Sequence, residues 1–206
     1  MNEPAAREEI LELMRRMERR PAHVEHVTML ALQIFDQLVV LHGLGPRERL
    51  LLEAAGCLHD IGHVTEHSGS AHHQESARLI RGQPWQYFTP ADVEIIAQVA
   101  RYHRKEMPEL AHKEFRVLNE TDRRVVQRLA AMLRLADSFD RGHFQPVQRV
   151  TVELPPNRII FRLEATGSVD REIQAAIRKG DLATAVFQRD LCFAIVEGKL
   201  TAAAPK

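Results

Sequence analysis

The strongest constraint on the fold is the stretch Leu58-His59-Asp60-Ile61-Gly62, which ends the apolar run that begins at Leu50. Apolar residues fall on most sides of this predicted helix, so His59 and Asp60 lie at the edge of a buried region. An ionised aspartate in apolar surroundings must be paired, protonated or bound to a cation. The stretch therefore predicts either a metal site or an aspartate that caps its own helix beside an ordinary core histidine.

The composition restricts the classes of function. The 206 residues suffice for one domain with a real core, and the formal charge of zero leaves no broad basic surface for nucleic acid or anionic membranes. No apolar run reaches membrane-spanning length, and residues 1–20 lack a secretory signal. Cys57 and Cys192 lie in apolar segments, which predicts buried free thiols in a reducing compartment. We therefore expect a cytoplasmic protein with no nucleic-acid or membrane partner.

Hydrophobic periodicity predicts helices over the first two thirds of the chain. The predicted helices cover residues 6–19, 23–42, 48–59 and 72–81, one that follows the N-cap Thr89, and one that begins at Thr121. The segment His63–Ser70 is rich in Ser, Gly and His and is expected to be a polar loop. These segments predict a helical body.

The pattern changes after residue 145. Apolar residues alternate in two short runs separated by Pro155-Pro156-Asn157, which is typical of a β-hairpin. Two amphipathic helices are expected after the hairpin, over Val169–Arg178 and Leu182–Val196. The predicted fold class is therefore mainly α: a helical bundle over residues 1–145 with a small C-terminal α+β extension over residues 146–206 that packs on it.

Histidines and carboxylates recur at inward positions of the predicted helices. His23 precedes Val27 by four residues and so points along the buried face, although a solvent-touching histidine of the first turn is equally compatible. His26 is a weaker alternative. Asp137 continues an apolar stripe, where its ionised form needs a partner. That partner is either a metal ion or a nearby arginine, Arg134 or Arg141.

His23, His59, Asp60 and Asp137 together form a set of two imidazoles and two carboxylates. Such a set suits a divalent ion with positions left for water or phosphate, and Mn, Fe, Zn or Mg are the candidates. With its H…HD…D spacing, the sequence resembles the HD superfamily of metal-dependent phosphohydrolases. The resemblance implies that these four residues are the metal ligands.

A closer resemblance covers roughly residues 20–196. Three segments carry it, together with the hairpin and the tail: His72-His73 with Ser76-Ala77-Arg78-Leu79-Ile80, the run from Ile96 to Lys105, and the run from Leu129 to Arg141. They are similar to the C-terminal HD-type region of exopolyphosphatase/guanosine-pentaphosphatase (Ppx/GppA) proteins. In that family the polyphosphate chemistry is placed in N-terminal actin-like domains, for which these residues leave no room. We therefore do not expect exopolyphosphatase activity.

The HD resemblance also bears on the number of metal ions. Some members hold two ions, with extra histidines between the HD pair and the last aspartate. By position these ligands would be His72 and His103 here, with His73 as a substitute for His72. The alternative is that these histidines bind substrate phosphate or pack in the core.

The resemblance implies metal-assisted hydrolysis of a phosphate ester. The expected substrate is a nucleotide or another small phosphate ester or diphosphate. Asp60 or Asp137 would orient the attacking water, and His63 would donate a proton or bind phosphate. The candidate cations for contact with phosphate are Arg101, Arg104, Lys105 and Arg141, and the alternative for each is a place on a solvated face. The alternative function is a non-catalytic nucleotide-binding or regulatory module of Ppx/GppA type, and a homodimer is left open.

Overall fold

Helices form most of the protein in the computed structural model, which describes residues 2–65 and 71–197. The helices in these ranges are α1 (Glu3–Met17), α2 (Pro21–Gln37), α3 (Val39–His42), α4 (Pro46–Leu58), α5 (His72–Arg81), α6 (Pro90–Arg101), α7 (Lys113–Arg116), α8 (Glu120–Ser138), α9 (Asp170–Lys179) and α10 (Asp181–Phe187). A short 3₁₀ helix, Ile61–Val64, follows α4. The mainly α class is confirmed. Residues 66–70 of the predicted polar loop lie outside the described residues.

α4 forms the centre of the helical body and packs against α1, α2, α6 and α8. Its leucines Leu50, Leu51, Leu52 and Leu58 are at most 1% exposed. Burying each such side chain contributes about 1.5–3 kcal/mol. The C-terminal end of α4 therefore lies inside the body, and the residues that follow it begin in a buried position.

Local capping sets where the helices around α4 begin. The hydroxyl of Thr89 accepts from the N–H of Asp92 (3.2 Å), and the Asp92 carboxylate accepts from the N–H of Thr89 (3.0 Å). This reciprocal pair satisfies two main-chain donors at the start of α6. Asn119 caps α8 by accepting from the N–H of Asp122 (2.9 Å). The N-cap predicted at Thr89 is confirmed.

The C-terminal extension contains a three-stranded sheet. β1 (Val147–Glu153) pairs antiparallel with β2 (Arg158–Ala165), so the predicted hairpin is confirmed, and β3 (Asp190–Glu197) pairs parallel with β2. The side chain of Gln37 on α2 donates to one carbonyl of β1 and accepts from another main-chain N–H of β1 (2.9 and 2.8 Å). These bonds fix the extension to the helical body. None of the described helices combines the length and the apolar composition that a membrane span requires.

The helix predicted over Leu182–Val196 is confirmed as far as Phe187 and is wrong beyond it. α10 ends at Phe187 because Gln188 adopts a left-handed conformation (φ 51°), and the following residues form β3. The segment from Leu191 to Val196 is uniformly apolar, so it suits a strand laid beside β2 as well as a helix face. This segment becomes a strand because it pairs with β2, which is distant in sequence. Cys192 lies half-buried in β3, whereas Cys57 is buried in α4, and both are free thiols.

Candidate metal centre

The His59-Asp60 pair lies where α4 ends and the 3₁₀ helix begins. His59 is fully buried and Asp60 is 6% exposed. Gly62 follows at a point where α5 passes very close, because a Cβ at this position would lie 2.1 Å from the carbonyl oxygen of His72. The N–H of Gly62 donates to Oγ of Ser76 (2.9 Å), whose hydroxyl donates to the carbonyl of His59 (2.6 Å). Glycine thus allows α5 to bring His72 beside Asp60.

The four predicted ligands come together at this turn. Nε2 of His23 lies 3.6 Å from Oδ1 of Asp137 and 4.0 Å from Oδ2 of Asp60. Nε2 of His59 lies 3.7 Å from Oδ1 of Asp60 and 4.0 Å from Oδ1 of Asp137. His26, the alternative to His23, instead donates to a main-chain carbonyl of β1 (2.8 Å). α2, α4 and α8 therefore bring one set of nitrogen and oxygen atoms to one place.

Three histidine rings are held so that Nε2 faces the carboxylates. Nδ1 of His59 and Nδ1 of His103 each donate to the carbonyl three residues earlier (both 2.7 Å). Nδ1 of His23 donates to Oδ2 of Asp140 (2.7 Å). Because a carbonyl can only accept, the neutral rings of His59 and His103 carry their proton on Nδ1 and a lone pair on Nε2. Histidine ligands in metal sites are oriented in this way.

Two of these nitrogens, Nε2 of His23 and Nε2 of His59, are buried and have no hydrogen-bond partner within the described residues. Leaving a buried polar atom without a partner costs about 1–3 kcal/mol. Together with Asp60, these two histidines place their donor atoms within 4.8 Å of one another. Imidazole nitrogens and carboxylate oxygens suit a divalent transition-metal ion. The residues present therefore fit such an ion.

His72 and His103 form a second such group, which shares Asp60. Their Nε2 atoms lie 3.2 and 3.7 Å from Oδ1 of Asp60. The ring nitrogens of His73, the predicted substitute, are buried and form no hydrogen bond in the described part of the chain. Burial, followed by the neighbouring His72, lowers the pKa of His73 to about 4. His72 rather than His73 therefore faces Asp60, and a second ion at this group stays a prediction.

The histidines and carboxylates control each other's protonation. Burial disfavours the charged form of His23, but the carboxylates around the ring, first Asp137 and then Asp140, outweigh burial and raise its pKa to about 9. Burial likewise opposes ionisation of Asp60, yet the histidines around it, first His59, hold the pKa of Asp60 well below its usual range. Asp60 is therefore a carboxylate at neutral pH, the form that binds a cation.

Asp137 pairs with a lysine of the C-terminal extension. Its Oδ2 accepts from Nζ of Lys179, at the end of α9, while its Oδ1 faces the histidine nitrogens. Burial opposes ionisation of Asp137, but Lys179 holds the pKa of this carboxyl well below its usual range. Of the arginines considered as partners, Arg134 pairs with Asp181 (2.8 Å) and Arg141 faces the adjacent cavity. Asp137 therefore forms an ion pair, but its partner is Lys179 instead of the predicted Arg134 or Arg141.

The histidines and aspartates described above form one cluster, which consists of His23, His59, Asp60, His72, His103 and Asp137. A cavity of about 350 Å³ opens beside this cluster. Its lining consists mainly of histidines and cations: Arg20, His23, Asp60, His63, His72, His103, Arg104, Asp137, Arg141, His143, Ala175, Arg178 and Lys179. Arg104 and Arg141, both predicted phosphate contacts, are part of this lining. Nε2 of His63 lies 3.8 Å from Oδ2 of Asp60, so His63 is also next to the cluster.

The other two predicted phosphate contacts, Arg101 and Lys105, are not among the described residues that line the cavity. Arg101 forms ion pairs with Glu114 (3.2 Å) and Glu106 (3.4 Å). Lys105 is exposed in a left-handed turn beyond α6 (φ 59°). Their closeness to His103 in sequence suggested a shared site.

Several residues of the site were not expected from the sequence. Asp140 follows Asp137 by three residues, in the turn just beyond the end of α8, and that closeness in sequence is a signal that could have identified it. The ring of His143, a loop residue with φ 58°, lies tilted against the ring of His23, with 3.9 Å between the ring centroids. Lys179 comes from α9. His143 has no periodic signal that points to the site, and the spacing of Lys179 from the buried Ala175 and Ala176 indicates only an inward position on α9.

The family whose model matches this chain is described as Ppx/GppA phosphatase, domain III, and the match covers residues 7–176. All four residues of the H…HD…D set lie inside the matched region, as do His72 and His103. A search of curated proteins gives no significant match.

Proposed function

The chain belongs to the family of Ppx/GppA phosphatase domain III, and from this membership and the site we propose that it is a metal-dependent phosphohydrolase. The proposed substrates are nucleotides or other small phosphate esters or diphosphates, hydrolysed in the cytoplasm. Hydrolysis would take place at the cluster of histidines and aspartates, which is an HD-type site.

One observation carries the proposal. The Nε2 atoms of His23 and His59 are buried, oriented by hydrogen bonds at Nδ1, and directed at Asp60 without a hydrogen-bond partner among the described residues. A protein core does not retain such atoms without a cost of about 1–3 kcal/mol each. A divalent cation would satisfy both nitrogens and the carboxylate together.

The residues of the cluster divide into those that hold the ion and those that face the cavity. His23, His59, Asp60 and Asp137 would hold one ion, and His72 with His103 would hold a second beside Asp60. A bound divalent ion supplies Lewis acidity toward a phosphoryl oxygen and lowers the pKa of a coordinated water.

The cavity residues would bind and orient the phosphate. Arg104 and Arg141 present guanidinium groups, which bind phosphate oxygens through two parallel hydrogen bonds. His63 lies 3.8 Å from Asp60 at the cavity wall, where it would bind phosphate or give a proton to the leaving oxygen. Asp60 or Asp137 would orient the attacking water through a carboxylate oxygen.

The extent of the family match supports a second candidate function. The match corresponds to one domain of a phosphatase family, so a non-catalytic module that binds a nucleotide or another anionic ligand in the same cavity is the alternative. The two candidates share the cavity and the cations. They differ in whether bound phosphate esters are cleaved.

A screen of hydrolysis over nucleotides, phosphodiesters and aryl phosphates, each with Mn²⁺, Fe²⁺, Zn²⁺ and Mg²⁺, tests the proposal. We expect activity with at least one ion, and loss of both bound metal and activity in Asp60→Ala. Asp36→Ala is the matched control, because Asp36 is a half-exposed carboxylate that pairs with Arg49 on the surface. Wild-type protein that binds ligand but cleaves no substrate with any ion would support the binding module instead.

A further inference from the structure

Lys179 brings an ammonium group to the cavity from outside the helical body. It ends α9 on the same face as the buried Ala175 and Ala176, and this three- and four-residue spacing directs it inward. Its side chain is 21% exposed, on the cavity side. The region matched by the family ends at residue 176, so Lys179 lies beyond it.

Arg134 fixes the main chain at this lysine. The Arg134 side chain is 3% exposed, and its Nε donates to the carbonyl of Lys179 (3.2 Å). Its other nitrogens donate to the carbonyl of Tyr102 (3.3 Å) and to Asp181 (2.8 Å). One buried guanidinium thus ties the end of α6 to the junction between α9 and α10. The place of the Lys179 ammonium group is therefore set by the core.

Positive charge exceeds negative charge around the cavity. Its described lining contains the cations Arg20, Arg104, Arg141, Arg178 and Lys179, and the carboxylates Asp60 and Asp137. Within the described ranges, Arg20, Arg141 and Arg178 form no ion pair. A divalent ion held by the two carboxylates would neutralise them and leave the cations uncompensated. The complementary ligand is an anion.

We propose that Lys179 binds a phosphoryl oxygen of the substrate at the edge of the metal centre, a role that rests on the proposed function. Asp137 divides its oxygens, since Oδ2 holds the ammonium group and Oδ1 faces the histidines. An ammonium group has three N–H donors and no acceptor, so Lys179 can keep Asp137 and still donate to phosphate. The C-terminal extension thereby completes the substrate site of the helical body.

The effects of removing Lys179 on phosphate affinity and on metal affinity distinguish this role from a purely structural one. Removing the charge of Lys179 removes a donor to phosphate, and a hydrogen bond between charged groups contributes about 1.5–3 kcal/mol, or roughly 10- to 150-fold in affinity. The same change removes a positive charge beside a metal ligand, so metal binding should not weaken. A lysine that merely orients Asp137 would instead cost about 10- to 100-fold in metal affinity when removed.

The experiment compares Lys179→Met and Lys179→Arg with the wild type by calorimetric titration. Mn²⁺ is titrated first, and inorganic phosphate is then titrated into the protein with and without Mn²⁺. Lys113→Met is the matched control, because Lys113 is an exposed lysine on α7 that loses the same charge and is not among the described residues that line the cavity. Circular dichroism verifies folding, and Lys179→Gln replaces the methionine variant if that variant does not fold.

For the methionine variant we expect phosphate affinity to fall about tenfold or more, with Mn²⁺ affinity at least as high as in the wild type. Lys179→Arg should keep phosphate affinity within about threefold, because it keeps the charge and the donors. Unchanged phosphate affinity, or a large loss of Mn²⁺ affinity, would overturn the proposal. If the wild type binds no metal, the proposed function fails, and the phosphate affinities of the metal-free proteins still decide the role of Lys179.

Discussion

Replacing Gly62 by alanine should damage the site by displacing α5, although Gly62 is not itself a ligand. A Cβ at this position would lie 2.1 Å from the carbonyl oxygen of His72 and 2.7 Å from the main-chain nitrogen of Ser76. Real Cβ atoms essentially never approach a heavy atom within 3.0 Å, so α5 must retreat by about 0.9 Å. Main-chain atoms cannot rotate out of the way as a side chain can.

The loss in the free energy of unfolding of Gly62→Ala has two contributions. Overpacking of this kind costs about 1–3 kcal/mol, and a contact with main chain places Gly62→Ala near the upper end. The hydrogen bonds that join Gly62, Ser76 and His59 are stretched by the same movement, at about 0.5–1.5 kcal/mol each. We therefore expect a loss of about 3 kcal/mol in the free energy of unfolding. For a chain of this length that corresponds to a melting temperature lower by roughly 6–12 °C.

Thermal unfolding and Mn²⁺ titration together test this prediction. The retreat of α5 carries His72 away from Asp60, so metal affinity should fall along with stability. Gly82→Ala is the control, because its Cβ would meet only ordinary contacts at 3.6 Å. Adding Ser76→Ala should not rescue the variant, since the closest contact is with the main chain. A Gly62→Ala protein that melts within about 2 °C of the wild type would refute the reasoning.

Arg134→Lys should lower the free energy of unfolding by about 1–3 kcal/mol in urea, because one ammonium group cannot bridge the carbonyls and carboxylate that the guanidinium joins; an unchanged midpoint would contradict this. Burial raises the pKa of the Cys57 thiol to about 12, so iodoacetamide at pH 8 should modify the half-buried Cys192 and leave Cys57 unmodified in native protein, as read by peptide mass spectrometry; equal labelling would count against it. Burial lowers the pKa of His42, whose two ring nitrogens already bond main-chain groups in the neutral form. Its contribution to stability is therefore complete above pH 6.5 and is lost as pH falls through its folded pKa, so the wild type should lose more free energy of unfolding between pH 7.5 and 5.5 than His42→Gln; parallel losses would contradict the assignment.

The helical body could be predicted because its signals are local. The apolar run of α4, the cap at Thr89 and the inward spacing of His23 and Asp137 all depend on residues within two or three turns. Inward positions on several helices must converge in a small core, so four ligands distant in sequence could be placed at one site. His26 was distinguishable from His23 only by its bond to β1, which no local pattern contains.

The remaining features depend on contacts between distant segments. β3 forms because β2 offers an open edge, and the apolar run from Leu191 to Val196 has no periodicity that separates strand from helix. Arg101 forms ion pairs with Glu106 and Glu114, which the sequence did not predict. Lys179 reaches Asp137 because α9 packs on α8, across 42 residues of sequence. The charge of a lysine side chain alone could not indicate that Lys179, and not Lys105, is among the described residues that line the cavity.

The central claim is that one divalent cation is held by His23, His59, Asp60 and Asp137. Anomalous diffraction from crystals soaked in Mn²⁺ tests it most directly, because the signal locates the ion itself. We predict a peak about 2.0–2.3 Å from Nε2 of His23 and of His59 and from an oxygen of each aspartate, and no peak there in Asp60→Ala crystals. A peak elsewhere, or an empty cluster in crystals that bind Mn²⁺ at other positions, would contradict the account.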